Sequence, residues 1–305
     1  MAKTQPPVAL NEAAEKLTAQ YGLLLEPGAK LTHGFIARAM VLASMPHSKP
    51  KDFVFKRQNG DYSLKMIADP ETGLPYGSIP RLVLAWITTE AVRTKSRELT
   101  LGKSLADFMR QLDIEPTGGK TGSITGLREQ IKRLFSTTIS CTYSDKDRDA
   151  GINMLLVDKY DLWWHPKDPE QSGLWESSLT LSETFFKEVT TSPVVFYMEA
   201  LKALRKSPMA LDIYMWLTYK NSYAKKPVVI SWESLQAQFG AGYPATPQGK
   251  QDFKRKFKEA LKKVGVAYPE ARKLKAEVDG LKFIPGFSHV PKSKELPQLE
   301  VTHKR

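Results

Sequence analysis

At 305 residues, with 41% hydrophobic and 10% aromatic content, the chain is long and apolar enough for two core-forming domains. Its 45 Lys and Arg against 33 Asp and Glu leave a formal charge of +12 and a pI near 9.5, the balance of a protein that meets a polyanion. No apolar run approaches the ~18 residues of a membrane span, MAKTQPPVAL lacks a signal core and the single Cys141 permits no intrachain disulfide, so the expectation is a soluble cytoplasmic chain that binds nucleic acid rather than membrane.

Residues 1–50 carry weak signals. Asn11 caps a short helix to Tyr21, Thr32 to Ser44 is a second helical candidate, and Met45 to Lys51 reads as a linker. Phe53–Phe55 and Tyr62–Ile67 flank Asn59-Gly60, a strong hairpin-turn signal. From Tyr76 the pattern sharpens. YGSIPRLVLAWITTEAV predicts a helix with Pro80 in its first turn and Leu82, Ala85 and Trp86 facing a core. Arg97 to Leu101 predicts a short strand, Ser104 caps a helix from Leu105 to Leu112, and the Gly-rich EPTGGKTGS leads into a third helix ending at Phe135. Thr137–Tyr143 and Ile152–Val157 predict a hairpin with the charged tip SDKDRDAG. Helix, strand, helix, helix, hairpin is the order of a winged helix-turn-helix unit. Asp161–His165 and Trp175–Leu181 read as further strands of the hairpin's sheet around the loop PKDPEQSG. Ser182–Val189 reads as a short helix, Thr190–Pro193 as a domain junction and Val195–Arg205 as a helix.

After this the pattern begins again. Trp86 and Trp216 stand 216 minus 86, or 130, residues apart, and Ser104-Leu105 recurs as Ser234-Leu235 at the same offset. Leu127, Ile131 and Leu134 then align with Phe257, Leu261 and Val264, while Arg128, Lys132 and Arg133 align with Lys258, Lys262 and Lys263. A gapless register that keeps both core and cations predicts two copies of one unit. The second comprises Ser207–Tyr223, the strand VVI, Ser231–Phe239 and Pro247–Val264, with a wing of Ala267–Pro269 against Leu281–Pro285 and the tip EARKLKAEVDG. The expected fold is therefore α+β: two winged helix-turn-helix domains in tandem, related by an internal repeat, at 51–192 and 193–287. A helical or flexible region 1–50 precedes them and a flexible tail 288–305 follows.

The third helix of the second copy is the most charged element. KQDFKRKFKEALKKV lies between Pro247 and Gly265 and puts Phe253, Phe257, Leu261 and Val264 on one face. Seven cations (Lys250, Lys254, Arg255, Lys256, Lys258, Lys262 and Lys263) meet only Asp252 and Glu259. A lone basic helix is often a solvated surface, but the overall charge and the repeat favour DNA. In a winged helix unit this helix enters the major groove. Gln251 and Arg255 are the candidates for reading bases, since Gln pairs bidentately with adenine and Arg with guanine. Lys250, Lys254 and Lys258 are candidates for phosphate contacts, and Arg272, Lys273 and Lys275 on the second wing for phosphate or the minor groove. Lys262 and Lys263 meet phosphate or simply suit the helix's negative C-terminal end. The first copy offers Lys120, Thr121, Ser123, Arg128, Lys132 and Arg133, and reads as the weaker, backbone-contacting unit or as the one occupied in dimer contacts. Trp86, Trp216, Phe253 and Phe257 are core by spacing. Of the adjacent Trp163 and Trp164, one faces a surface or an interface.

Catalytic patterns are missing. TGGKT suggests a phosphate loop, but Ile114 stands where the motif's first glycine belongs. His33, His47, His165, His289 and His303 are scattered, and Asp145, Asp147 and Asp149 lack the glycine and distal glutamate of a calcium loop. No enzyme activity, metal or cofactor is expected. A transcriptional regulator and a metal-dependent nuclease are the alternatives, the nuclease last.

YGSIPRLVLAWITTEAVRTKSRELTLGKSLADFMRQL, SPMALDIYMWLTYKNSY and ISWESLQAQFG resemble the RepA-type replication initiators of bacterial plasmids, over roughly Tyr76 to Pro269. The resemblance implies binding of double-stranded DNA at directly repeated origin sites through two winged helices. It also implies a monomer–dimer equilibrium in which monomers initiate, while dimers repress the protein's own gene or restrain copy number. Its further partners would be the host initiator, which helps open AT-rich DNA, and the replicative helicase.

Overall fold

The structure, a computed structural model, describes residues 31–163, 177–240 and 242–290. The predicted helix at Asn11–Tyr21, Trp164, His165, the loop PKDPEQSG and the chain from 291 lie outside them. The fold mixes helices with several small antiparallel sheets.

The described chain opens with β1 (His33–Ala37) and α1 (Arg38–Leu42), where a single helix was expected. The strand forms because it has a distant partner: β9 (Pro193–Tyr197) pairs antiparallel with it, His33 opposite Tyr197 and Ala37 opposite Pro193. The same pairing delays the helix expected from Val195, so that α6 begins only at Met198 and ends at Leu204. A partner so far away in sequence leaves no local trace.

The repeated order is present. In the first half it runs α2 (Ser78–Thr94), β4 (Glu98–Thr100), α3 (Leu105–Gln111) and α4 (Ser123–Ser136). In the second it runs α7 (Pro208–Tyr223), β10 (Val228–Ser231), α8 (Trp232–Phe239) and α9 (Pro247–Ala267). α2 and α7 begin 208 minus 78, or 130, residues apart, and β4 and β10 keep that offset. The aligned serines do not share a role. Ser104 Oγ accepts the Asp107 amide at 3.1 Å and caps α3, whereas α8 starts earlier and is capped by Ser231, which accepts the Ser234 amide at 3.1 Å.

Strand pairing departs from expectation in the first half. The hairpin β5 (Thr138–Ser144) and β6 (Asp149–Met154), read as a wing, joins β2 (Val54–Asn59) and β3 (Tyr62–Ile67) in the order β2-β3-β5-β6. The short strand β4 is closed instead by β7 (Val157–Asp161) and β8 (Ser178–Leu181), in the order β4-β8-β7. The second half repeats that second arrangement as β10-β12-β11, with β11 (Lys275–Ala276) and β12 (Gly280–Phe283). The β5–β6 hairpin is thus an insertion ahead of the strands equivalent to the wing. Alternation buries Leu64, Met66, Ile139, Cys141 and Met154 on one side of its sheet, but alternation alone does not name a strand's neighbour.

α5 (Glu183–Thr191) bridges the halves, and buried residues from both halves form one continuous core. Trp86, Trp216, Phe253 and Phe257 belong to it, as their spacing predicts. The stretch from Ser288 to Val290, assigned to the tail, is packed: the His289 ring stacks on Tyr268 at 4.5 Å and Val290 is buried.

Candidate nucleic-acid interface

α9 is fixed at its start by Thr246, whose hydroxyl accepts the Gly249 amide at 3.2 Å, and by Pro247 in its first turn. It does not stop at Gly265. That glycine instead admits Arg272, whose Nε donates to the Gly265 carbonyl at 2.6 Å, and the helix continues to Ala267. Phe253, Phe257, Ala260 and Val264 form its buried line, and Phe257 meets Trp232 and Phe239 with ring centroids 6.1 and 5.6 Å apart.

The charges on the opposite side are sorted. At about 100° per residue, Gln251, Lys254, Lys258 and Lys262 fall in one stripe that contains no carboxylate. Asp252 and Glu259 lie on the other flank with Arg255, Lys256 and Lys263. Arg255 reaches Asp252 at 3.1 Å and Glu259 at 3.3 Å, and Lys256 reaches Glu259 at 3.2 Å. The Gln248 amide and then Arg255 hold the Asp252 carboxyl below the usual carboxylate range. Lys254 and Lys258 stand over the Trp232 ring of α8, at 5.3 and 5.6 Å from its centroid, so one aromatic face positions both ammonium groups. Lys250 is 3.7 Å from Glu233.

Around the second wing the placement differs from expectation. Residues 269–273 form a 3₁₀ turn rather than a strand or tip, and the wing is β11–β12 with its turn at Glu277–Asp279. Arg272 is tied to Gly265, and Lys273 pairs with Glu270 at 2.7 Å. Lys275 alone of the three is on a wing strand, and it is exposed.

In the first unit Lys120, Thr121, Arg128 and Lys132 are exposed. Ser123 and Arg133 are committed to packing. Ser123 Oγ accepts the Thr117 amide at 2.9 Å and donates to the Glu115 carbonyl at 2.6 Å, locking the Gly-rich turn onto α4. The Arg133 guanidinium lies 5.6 Å from the Tyr76 ring centroid. Trp163 is 48% exposed.

Trp232 is the residue sequence reasoning passed over. An aromatic at the start of a helix reads as core, and it is core, being 3% exposed. Its second role as a platform for two lysines exists only once α8 and α9 are docked.

The remaining chemically notable groups are structural. Burial holds His47 and His289 near a pKa of about 4 and pushes the Cys141 thiol up to about 11. The Asp145 carboxylate accepts the Asp147 and Arg148 amides at 2.9 Å and so closes the β5–β6 turn. Among the described residues no three or more His, Cys, Asp or Glu are grouped to hold a metal ion, and no helix is long and apolar enough to cross a membrane.

Comparison with known proteins gives the chain its relatives. No curated protein matches it in sequence. Two crystal structures of domains 2 and 3 of RctB are distantly similar. One has 11% identity and a TM-score of 0.44, covering 70% of this chain and 80% of that one. The other has 10% identity and a TM-score of 0.46, covering 78% and 84%. The family model described as plasmid encoded RepA protein matches residues 74–234, more than half of the chain, and the protein belongs to that family.

Proposed function

We propose that this RepA-family protein initiates replication of its plasmid by binding directly repeated sites at the origin through two winged helix-turn-helix units, residues 51–192 and 193–287. The observation that carries the proposal is the carboxylate-free stripe of Gln251, Lys254, Lys258 and Lys262 on the longest helix of the second unit. A helix of this kind docks in the major groove with its N-terminal half against base edges. Lys254, Lys258 and Lys262 neutralise phosphates, while Gln251 and Arg255 read bases. Exposed ion pairs are weakened by solvent screening, so Arg255 exchanges Asp252 and Glu259 for a guanine at little cost. On a wrong sequence the same two carboxylates stay close to phosphate and oppose docking.

The first unit, with Lys120, Thr121, Arg128 and Lys132, adds sequence-independent backbone contacts. Opening of adjacent AT-rich DNA, recruitment of the host initiator and helicase, and repression by dimers complete the reading. None of these steps calls on a catalytic residue of this chain. Footprinting on the plasmid's origin, against random DNA at the same stated salt, tests it. Protection at regular, same-direction repeats supports an initiator; protection of a single promoter palindrome leaves a transcriptional regulator; uniform weak coating sinks sequence-specific recognition by α9.

A further inference from the structure

The inserted hairpin gives the first half a surface that the repeat does not explain. The sheet β2-β3-β5-β6 buries one side and turns the other outward, and the middle of the outward side is built of hydrogen-bonding groups and cations, with the exposed apolar pair Val54 and Ile67 at one end. Lys56 and Lys65 stand directly opposite each other on β2 and β3, both exposed. Like charges in that register oppose pairing, and among the described residues neither ammonium has an ion-pair partner. In register with Lys65, Ser140 on β5 donates to Asn153 Oδ1 on β6 at 2.6 Å, which leaves the Asn153 amide hydrogens free to donate elsewhere. In the next register row Ser63 and Thr142 share a hydrogen bond of 2.6 Å. The carboxylates nearest the two lysines at that end are Asp61 and Asp149, both in the register row of Ser144, where the Ser144 amide donates to the Asp61 carbonyl at 2.9 Å.

Between this face and α8 lies a cleft of about 640 Å³, whose lining includes both lysines, the Ser140–Asn153 and Ser63–Thr142 pairs, Gln58 and, from α8, Ala237. Ala237 follows Trp232, the platform of Lys254 and Lys258, by five residues, or ~7.5 Å of helix rise. That is about two nucleotides of duplex rise.

We infer that the outward face of this sheet, with the cleft at α8, binds the phosphodiester backbone of DNA continuing from the α9 site. Two facing lysines surrounded by hydroxyl and amide donors suit a row of phosphates. They do not suit a second basic copy of this chain, which would bring more positive charge to an uncompensated pair. The inference rests on α9 being the DNA-reading helix.

The test is the salt dependence of binding by the full chain, measured by fluorescence anisotropy on an origin duplex and on a random duplex between 50 and 200 mM salt. Three variants accompany the wild type: Lys56→Ala/Lys65→Ala, Lys65→Glu, and Lys254→Ala/Lys258→Ala. Losing two phosphate contacts flattens the slope of log K against log salt by about 1.8, so over this fourfold range the double-alanine sheet variant loses about twelvefold less affinity than the wild type. The change is the same on both duplexes. Lys65→Glu places an opposite charge across from Lys56, so its melting temperature holds or rises while DNA affinity falls; weak binding there is not misfolding. An unchanged slope in the folded sheet variant overturns the inference, as does a flattened slope that tracks a change of oligomeric state in sedimentation. If the sheet variant binds as wild type and Lys254→Ala/Lys258→Ala does not, the sheet inference falls and the α9 reading stands. If the α9 variant also binds as wild type, that reading falls too.

Discussion

Arg81 of α2 and Asp212 of α7 form a two-pronged buried ion pair across the seam between the repeats, Nε to Oδ1 at 2.7 Å and Nη2 to Oδ2 at 2.8 Å. Both side chains are almost wholly buried, at 1% and 3% exposure. The remaining guanidinium hydrogens go to the carbonyls of Met45, Pro46 and Gly77 at 2.6, 3.1 and 2.6 Å, so the stretch that read as a linker is the socket of this pair. Burial alone would raise the Asp212 pKa, but Arg81 beside it and hydrogen bonds from His47 and Arg81 hold it below the usual carboxylate range. Arg57 is buried nearby, its own pKa pushed down to about 9 by burial.

Removing one partner therefore strands buried charge. Asp212→Ala should cost roughly 3–5 kcal/mol, read as a fall in the urea midpoint, whereas Arg81→Met/Asp212→Leu should lose clearly less. Equal losses in the single and double variants would show that the pair acts through packing rather than charge.

Acid should weaken the fold before its carboxylates titrate. His47 Nε2 lies 2.6 Å from Asp212, and with a pKa near 4 this is a hydrogen bond from a neutral ring, not an ion pair, at neutral pH. His289, with Nδ1 2.9 Å from Tyr214 Oη, is likewise held near 4 by burial. The folded-state values lie below the unfolded value of about 6.5, so the unfolded chain binds these protons first. Stability from both rings is fully present above pH 6.5 and is lost as pH falls towards 4, by up to ~3 kcal/mol for each. Urea melts at pH 7.5, 6 and 5 measure this, and a flat profile across that range would contradict it. His47→Asn should remove about half of the slope.

What was legible in the chain was what repeats or what is periodic. The offset that joins Trp86 to Trp216 located both helical units, because a core that recurs leaves its apolar spacing behind. The cations of α9 were equally plain, but their sorting was not. It takes the helix's true phase to show Asp252 and Glu259 beside Arg255 and away from Lys254 and Lys258. Strand partners were the least legible. Thr138–Ser144 alternates as well for a wing as for a sheet with Tyr62–Ile67, and the choice is made by long-range packing. The same holds for Phe35, read as helical, which lies on a strand because Val195 stands opposite.

Arg255 separates base reading from charge. Arg255→Ala should weaken binding to the cognate repeat by roughly 1–3 kcal/mol and leave random DNA nearly unchanged, measured by competition at constant salt. An equal loss on both duplexes would make it a phosphate contact. Because the substitution leaves Asp252 with Gln248 and Glu259 with Lys256 but without the guanidinium, Asp252→Asn alone should tighten random DNA and so reduce discrimination.

Gly280 joins the wing to the start of α8. It lies opposite Ser231 in the β10–β12 ladder, and a Cβ at this position would stand 2.2 Å from the Ile230 carbonyl oxygen and 3.1 Å from Ser231 Cα. Both contacts are backbone, so Gly280→Ala must push β12 away from β10. Ser231 is the cap of α8, and Trp232 is held by the wing itself: its indole donates to the Glu277 carbonyl at 3.1 Å and its amide to Asp279 at 3.3 Å. A displaced wing therefore moves the platform under Lys254 and Lys258. The substitution should lower global stability by about 1–3 kcal/mol. It should also speed hydrogen exchange at Val228–Ser231 and Gly280–Phe283 while amides of Ser78–Thr94 stay protected. Affinity should fall on cognate and random DNA together, because the lysines it disturbs are the proposed phosphate contacts. Intact affinity with fast exchange in β10 and β12 would detach the wing from the positioning of those lysines.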